Sequence, residues 1–116
     1  MDNKVRNIHA QNIINILELI SSEKLQLKYE KDVPHVDITN ELVSMWFDDA
    51  YFPEDKSVCE SFSTEELDEL KKFNKFYDDR FNLLPESNGT VLTWLADKTW
   101  KEIMFKAQST LIKLKT

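Results

Sequence analysis

Two pairs of acidic residues lie close together near the middle of the 116-residue chain, at Asp48-Asp49 and at Glu54-Asp55. Paired carboxylates can bind a hard cation or act as a general acid and a general base. A twelve-residue calcium loop that began at either aspartate would lack the carboxylates of its third and fifth positions and the glycine of its sixth. Carboxylate catalysis also needs a substrate cleft, which a helical domain of this size rarely provides. The pattern therefore favours neither a calcium site nor a hydrolase.

The residues that most often bind transition metals or attack substrates are few and far apart: His9, His35 and Cys59. Their spacing does not match a zinc site. The acidic neighbours of Cys59 disfavour its thiolate and make it a poor nucleophile. A phosphate-binding loop needs several glycines, and Gly89 is the only glycine in the chain. We therefore expect no cofactor, no metal centre and no catalytic activity.

Large aromatic residues alternate with acids between Met45 and Phe62, and Lys56 is the only cation among them. Aromatic side chains provide apolar contact area at a low cost in conformational entropy, and carboxylates provide a negative field. The aromatic residues of this segment are Trp46, Phe47, Tyr51, Phe52 and Phe62. For Trp46 a position in the core is favoured. The combination of aromatic and acidic residues is typical of a surface that binds a basic protein.

The charge of the chain is concentrated in one block. The net charge is −6, but residues 37–70 contain eleven acids and one base, a net charge of −10, and the rest of the chain carries +4. A negative field repels nucleic acid and speeds the encounter with a cationic protein. We therefore expect no direct binding of nucleic acid. The alternative is that the acidic block only keeps the protein soluble.

The acidic block and its aromatic residues predict a partner-binding surface. Carboxylates displayed beside aromatic rings can imitate phosphates and bases, and can so occupy the basic cleft of a protein that binds RNA or DNA. The predicted partner-binding residues are Asp48, Asp49, Tyr51, Phe52, Glu54, Asp55, Glu60, Glu65, Glu66 and Glu69.

The elements that position these residues are predicted to be helices of one domain, residues 1–116. Hydrophobic residues make up 41% of the chain, enough for one core. One glycine and three prolines are too few for the tight turns of an all-β fold. Apolar residues recur at steps of three and four in residues 5–20, 67–84 and 92–114, which is the spacing of helices. The fold class predicted is mostly α, a compact single-domain helical bundle.

Two local signals mark boundaries within this bundle. Ser63 followed by Glu66 forms the capping-box pattern and predicts that a helix begins there. Pro53 and its polar neighbours predict a loop over residues 52–57.

The end of the chain is predicted to be one long helix that begins after a cap at Asn88 or Thr90. Trp94 and Trp100 lie at helical spacing in it. Aromatic residues at such spacing usually close a core, so we expect both tryptophans to be buried.

The stretch between residues 25 and 47 is ambiguous, because it fits a helix and also a short β element. Apolar and polar residues alternate from Leu25 to Tyr29, which is the period of a strand. The same alternation recurs at Val43, Met45 and Phe47. A helix that begins at Asp37 or Thr39 is the alternative for the second part of the stretch.

The sequence also indicates where the protein resides. The N-terminus leads into an amphipathic run without a continuous apolar segment, so neither a signal peptide nor a membrane span is predicted. A single cysteine agrees with a reducing compartment. We expect a cytoplasmic protein that does not bind membranes.

Several stretches together resemble small bacterial immunity proteins of contact-dependent growth inhibition systems. The stretches are Leu42 to Pro53, Phe62 to Leu70 with Phe73-Asn74, Leu83 to Pro85, and Trp100. The resemblance spans roughly residues 5–114. It implies a cytoplasmic protein without catalytic activity that binds the toxin domain delivered by a neighbouring cell and blocks its active site. Many such toxins are nucleases with basic clefts, so the partner implied is a cognate basic toxin.

Two other classes of protein remain as alternatives. A helical adaptor or regulatory subunit would join a permanent complex through apolar faces and would self-associate when it is expressed alone. An immunity protein would instead be a monomer when free, and salt would slow its binding. A small carboxylate enzyme would need a cleft and acids with altered pKa values.

Overall fold

The computed structural model describes residues 8–33, 37–85 and 90–114, and every regular element within these ranges is helical. The prediction of a mostly α fold is confirmed. The elements are α1 (Ile8–Ser21), α2 (Glu23–Asp32), α3 (Ile38–Ser44), a π-helical turn (Met45–Ala50), α4 (Lys56–Ser61), α5 (Thr64–Arg80), a 3-10 turn (Phe81–Leu83), α6 (Val91–Leu95) and α7 (Lys98–Leu114).

The first half of the ambiguous stretch forms α2, not a strand. The Ser22 hydroxyl caps this helix by accepting a hydrogen bond from the Leu25 amide. Leu25 and Leu27, which suggested a strand face, are 41% and 36% exposed, and Gln26 between them is fully buried. The alternation of apolar and polar residues was misleading because the residue that faces the core is polar.

The second half of this stretch is also helical. The Asp37 carboxylate accepts a hydrogen bond from the Asn40 amide and so caps α3, as one alternative predicted. The helix then widens into the π-helical turn, where the Tyr51 amide donates to the Trp46 carbonyl over 3.0 Å, five residues back. No β element is found among the described residues of 25–47.

The loop after the π-helical turn is shorter than predicted. Asp55 caps α4 by accepting a hydrogen bond from the Ser57 amide, so the helix begins at Lys56, inside the predicted loop. The capping box before α5 is confirmed. The Ser63 amide donates to the Glu66 carboxylate over 2.8 Å, and the Glu66 amide donates to the Ser63 hydroxyl over 3.1 Å.

The predicted long final helix is interrupted, which corrects the sequence prediction. Thr90 caps the short helix α6, which ends at Leu95. The Asp97 carboxylate then accepts a hydrogen bond from the Trp100 amide over 3.0 Å and starts α7. An aspartate three residues before an amide competes with the helical backbone for that donor, and this explains the break.

Helices α5 and α7 pack side by side and run antiparallel. Lys113 Nζ lies 3.1 Å from the Glu69 carboxylate, and Arg80 Nε lies 3.8 Å from the Glu102 carboxylate. From the first pair to the second, the residue number rises by eleven on α5 and falls by eleven on α7, as it must for antiparallel helices. Helix α1 packs against α7 as well, and the three helices form the main layer of the molecule.

The core is rich in aromatic residues. Trp94 and Trp100 are buried, as predicted, with ring centroids 4.7 Å apart. Trp46 is also buried, and its ring meets the Phe73 ring edge to face at 4.8 Å. Tyr77 lies beside Trp100 and donates from its hydroxyl to the Leu42 carbonyl over 3.1 Å. These rings join α3, the π-helical turn, α5 and α7.

Some predictions fall outside the described residues: the first three residues of the predicted helix over 5–20, His35, and the cap at Asn88. Of the helices that the structure describes, none has the length and apolar character that crossing a membrane requires.

Candidate functional site

The ten predicted partner-binding residues, here called the acidic surface, lie on four consecutive elements. Asp48 and Asp49 belong to the π-helical turn, Glu60 to α4 and Glu65 to the first turn of α5. The fourth element is the loop over residues 51–55, which joins the π-helical turn to α4. The whole surface therefore comes from one continuous segment of chain, folded against α1 and α5.

Five carboxylates of the acidic surface are exposed: Asp48, Asp49, Glu54, Glu60 and Glu65. Within the described part of the chain, none of these five side chains forms an ion pair or a hydrogen bond. They are therefore available to a partner.

Two other acids of the surface cap helices. Asp55 accepts hydrogen bonds from the amide and the hydroxyl of Ser57, and these bonds lower the pKa of Asp55. His9 at the start of α1 lowers this pKa further by charge attraction. Glu66 is the second member of the capping box. The negative charge of both residues has a structural reason near a helix N-terminus.

Glu69 is engaged with two lysines. Its carboxylate accepts a hydrogen bond from Lys113 on α7 over 3.1 Å and lies 3.5 Å from Lys72. The hydrogen bond from Lys113 is the main cause of the lowered pKa of Glu69, and burial acts against it. This residue joins α5 to α7 and is less available to a partner than the five exposed acids.

The aromatic residues of the segment divide into buried and exposed rings. Trp46 is fully buried, as favoured from the sequence, and Tyr51 stacks on it with ring centroids 5.0 Å apart and planes 8° from parallel. Burial raises the pKa of the half-buried Tyr51. Phe62 is buried, and Phe47 packs 4.9 Å from the ring of Tyr77. Phe52 is the aromatic residue that this segment exposes, at 43%.

Two hydrogen bonds stabilise the loop that carries Phe52. The Asp55 amide donates to the Phe52 carbonyl over 3.0 Å. The Cys59 thiol, which is exposed, donates to the Pro53 carbonyl over 3.2 Å. Since these bonds fix the turn, Phe52 and Glu54 are presented at a defined position instead of on a free loop.

The N-terminal half of α1 borders the acidic surface, which the sequence did not predict. The Asn12 side-chain amide donates to the Asp49 carbonyl over 3.3 Å. An open groove of about 410 Å³ lies along this border, and Ile8 beside it is 79% exposed. His9 also lines the groove. No local pattern could predict this contact, because Asn12 and Asp49 are 37 positions apart in sequence.

The arrangement suits the binding of a cationic protein surface. Exposed carboxylates interact with lysine and arginine side chains. Phe52 in the same segment of chain, and Ile8 in one groove with Asp49, offer exposed apolar area for contact. Among the described residues, no three His, Cys, Asp or Glu side chains are grouped so that they could hold a metal ion. Comparisons of the chain with protein-family models, curated proteins and solved structures found no match.

Proposed function

We propose that this chain is an immunity protein that binds a cognate toxin domain, a nuclease, and covers the basic active site of the toxin with the acidic surface. The observation that carries the proposal is the set of five exposed carboxylates that share one segment of chain with the exposed Phe52 and form no ion pair or side-chain hydrogen bond within the described fold. The resemblance of residues 42–53 and 62–74 to immunity proteins of contact-dependent growth inhibition systems supports it.

The physical basis is the imitation of a nucleic acid. A nuclease cleft collects lysine and arginine side chains to bind phosphates, and carboxylates can occupy the same positions. Phe52 would enter the centre of the interface, because a few well-packed aromatic contacts commonly supply most of the binding energy. The charges would steer the encounter, so the association rate would fall as salt concentration rises.

The proposal includes several properties of the free protein. It would be a cytoplasmic monomer without catalytic activity and without a cofactor, and it would bind neither nucleic acid nor membranes directly. Inhibition would require only tight binding, since a covered active site excludes the substrate.

A helical adaptor or regulatory subunit is the second candidate. It is favoured by α2, where Leu25 and Leu27 are exposed and an apolar groove of about 330 Å³ runs past Tyr29 and Val33. A partner that covered this face would be held by apolar contact, and high salt would not release it.

The test is capture of partners by immobilised wild-type protein from a lysate of the native bacterium, followed by elution at high salt. Two variants with the same change in charge are compared with it. D48N/D49N alters the acidic surface, and E23Q/D78N alters exposed acids on α2 and α5. Any captured protein is then purified and assayed for nuclease activity with and without the immunity protein.

The proposal predicts that one basic protein is captured by the wild type and by E23Q/D78N, is captured weakly by D48N/D49N, and loses its nuclease activity in the complex. A partner that stays bound at high salt and is captured equally by all three proteins would support the adaptor instead. A captured nuclease that remains active in the complex would contradict neutralisation.

A further inference from the structure

A second open groove, here called the basic groove, lies between the C-terminal half of α5 and the N-terminal half of α7. Its volume is about 600 Å³, which is within the range of ligand-binding pockets. Its lining includes Phe76, Arg80, Lys98, Lys101, Phe105 and Lys106. The groove does not overlap with the acidic surface, and no function discussed above uses it.

The two lysines at one end of the groove are placed against the helix dipole. Lys98 and Lys101 lie in the first turn of α7, which contains no acidic residue. The N-terminus of a helix carries a partial positive charge, so helix stability favours aspartate or glutamate there. Among the described residues neither lysine has an ion-pair partner. The Asp97 carboxylate already caps this helix end by accepting a hydrogen bond from the Trp100 amide, so a bound anion would be held by the two lysines instead of the dipole.

The groove also offers one free aromatic ring. Phe105 is 72% exposed on α7. The second ring, Phe76, is already covered, since the Arg80 guanidinium lies 3.6 Å from its centroid. A large apolar ring that no other side chain covers is unfavourable in water, and stacking with a planar ligand would remove it from water.

The charge of the groove favours a small anion over a long one. Four cations line it, and Glu102 is the one acid in its lining, where it pairs with Arg80 at 3.8 Å. The whole chain carries a net charge of −6. A long polyanion that extended beyond the groove would therefore be repelled by the rest of the surface, whereas a compact anion would lie among the four cations and one acid that is already paired.

We propose that the basic groove binds a free nucleotide, with the base stacked on Phe105 and the phosphates near Lys98 and Lys101. The ligand class follows from the combination of an exposed ring and unpaired lysines in one groove. This inference does not depend on the proposed interaction with a toxin, which uses the other charged surface.

The test is titration of the full chain with ADP, followed by calorimetry and by NMR shifts of backbone amides. Adenosine lacks the phosphates, and pyrophosphate lacks the base. We expect ADP to shift the amides of the first turns of α7. Adenosine and pyrophosphate should each bind at least about tenfold more weakly than ADP, because each lacks one half of the interaction.

Variants at exposed positions separate the contributions of charge and stacking. K98Q/K101Q and F105A should each weaken ADP binding about tenfold. K24Q/K31Q changes the net charge equally on α2, and I112A removes another exposed apolar side chain of α7, so both controls should bind ADP as the wild type does. Equal effects of the groove variants and their controls would overturn the assignment.

Two further ligands test the class. An adenine octanucleotide and a glutamate-rich peptide that contains phenylalanine are titrated under the same conditions. Tighter binding of either one than of ADP would overturn the free nucleotide as the ligand. Absence of ADP binding would overturn the proposal directly and would leave the toxin-binding proposal unaffected.

Discussion

Gln26 is a buried polar residue that joins three helices. Its side-chain amide donates to the carbonyls of Leu19 and Ile20 over 3.0 and 2.8 Å, in the last turn of α1. Its oxygen accepts a hydrogen bond from the indole nitrogen of Trp100 on α7 over 3.1 Å. The carbonyls at a helix end have no partner within the helix, so Gln26 acts as a C-terminal cap provided by the next helix.

Gln26→Leu keeps most of the volume but removes the hydrogen bonds of the buried Ile20 carbonyl and Trp100 indole, while the Leu19 carbonyl still accepts from the Ser22 amide over 3.3 Å. We expect the free energy of unfolding to fall by about 2–4 kcal/mol, since each unsatisfied buried group costs about 1–3 kcal/mol. Urea unfolding measures this change. Gln108→Leu, at an exposed position of α7, is the control and should stay within about 0.5 kcal/mol of the wild type. Equal effects of the two substitutions would show that the Gln26 bonds do not stabilise the fold.

Tyr77 makes stability depend on pH in the alkaline range. Burial raises the pKa of Tyr77 above that of an exposed tyrosine. Above pH of about 10 the unfolded chain releases this proton while the folded chain retains it, so stability falls as pH rises. Tyr77→Phe should cost about 1 kcal/mol at pH 7 through loss of the bond to Leu42, and the difference from wild type should shrink above pH 10. Melting temperatures between pH 7 and 11 test this; a constant difference would contradict it.

The burial of an individual residue could be predicted from the sequence when it followed from the size and spacing of that residue's own side chain. Trp94 and Trp100 are large and lie at helical spacing, so burial was the favoured interpretation, and it is confirmed. Gln26 could not be predicted, because its burial depends on partners in α1 and α7 that are distant in sequence. Hydrophobic periodicity does not identify a polar side chain whose partners become known only in the folded chain.

At the scale of elements, the sequence predicted best those helix boundaries at which a nearby side chain caps the helix. The capping box of Ser63 and Glu66 is complete, as expected. The break at Asp97 has the same physical origin, a carboxylate that accepts from an amide three residues later, but continuous apolar spacing on both sides concealed it. The π-helical turn was not predicted. Its Trp46 indole donates to the side chain of Asn74 on α5 over 3.0 Å, a contact between distant segments.

Asp97→Ala should remove the cap of α7. We expect a loss of about 1 kcal/mol in the free energy of unfolding, the usual effect of replacing an aspartate cap by alanine. Chemical denaturation followed by circular dichroism measures it. Asp78→Ala, at an exposed position within α5, provides the comparison and should have a much smaller effect. If Asp97→Ala were neutral, the division between α6 and α7 would not depend on this carboxylate.

At the scale of the whole molecule, the acidic surface and the basic groove lie toward opposite ends of α5. Glu69 marks the acidic end of α5, and Arg80 lies eleven residues further on, about 16 Å along a helix. The acidic block was apparent in the sequence because its members are contiguous. The basic groove was not, since Arg80 and Lys98 come from separate helices and meet only through the packing of α5 on α7.

The acidic surface predicts distinct kinetic effects for substitutions of its charged and of its apolar residues. D48N/D49N removes steering charge and should slow association with the proposed toxin partner several-fold at low salt, with little difference at high salt. Phe52→Ala should leave the association rate nearly unchanged and raise the dissociation rate about tenfold, because an apolar anchor acts after contact. Surface plasmon resonance at several salt concentrations separates the two rates. Identical effects of salt on wild type and D48N/D49N would argue against steering by these acids.

The position of the tryptophans has an optical consequence. All three tryptophans of the chain are buried, and the centroids of Trp94 and Trp100 lie 4.7 Å apart. Water cannot relax the excited state of a buried indole, so the folded protein should emit at short wavelength and shift to the red on unfolding. The close pair should also give a strong near-ultraviolet circular dichroism signal. Intrinsic fluorescence therefore reports on the integrity of the core.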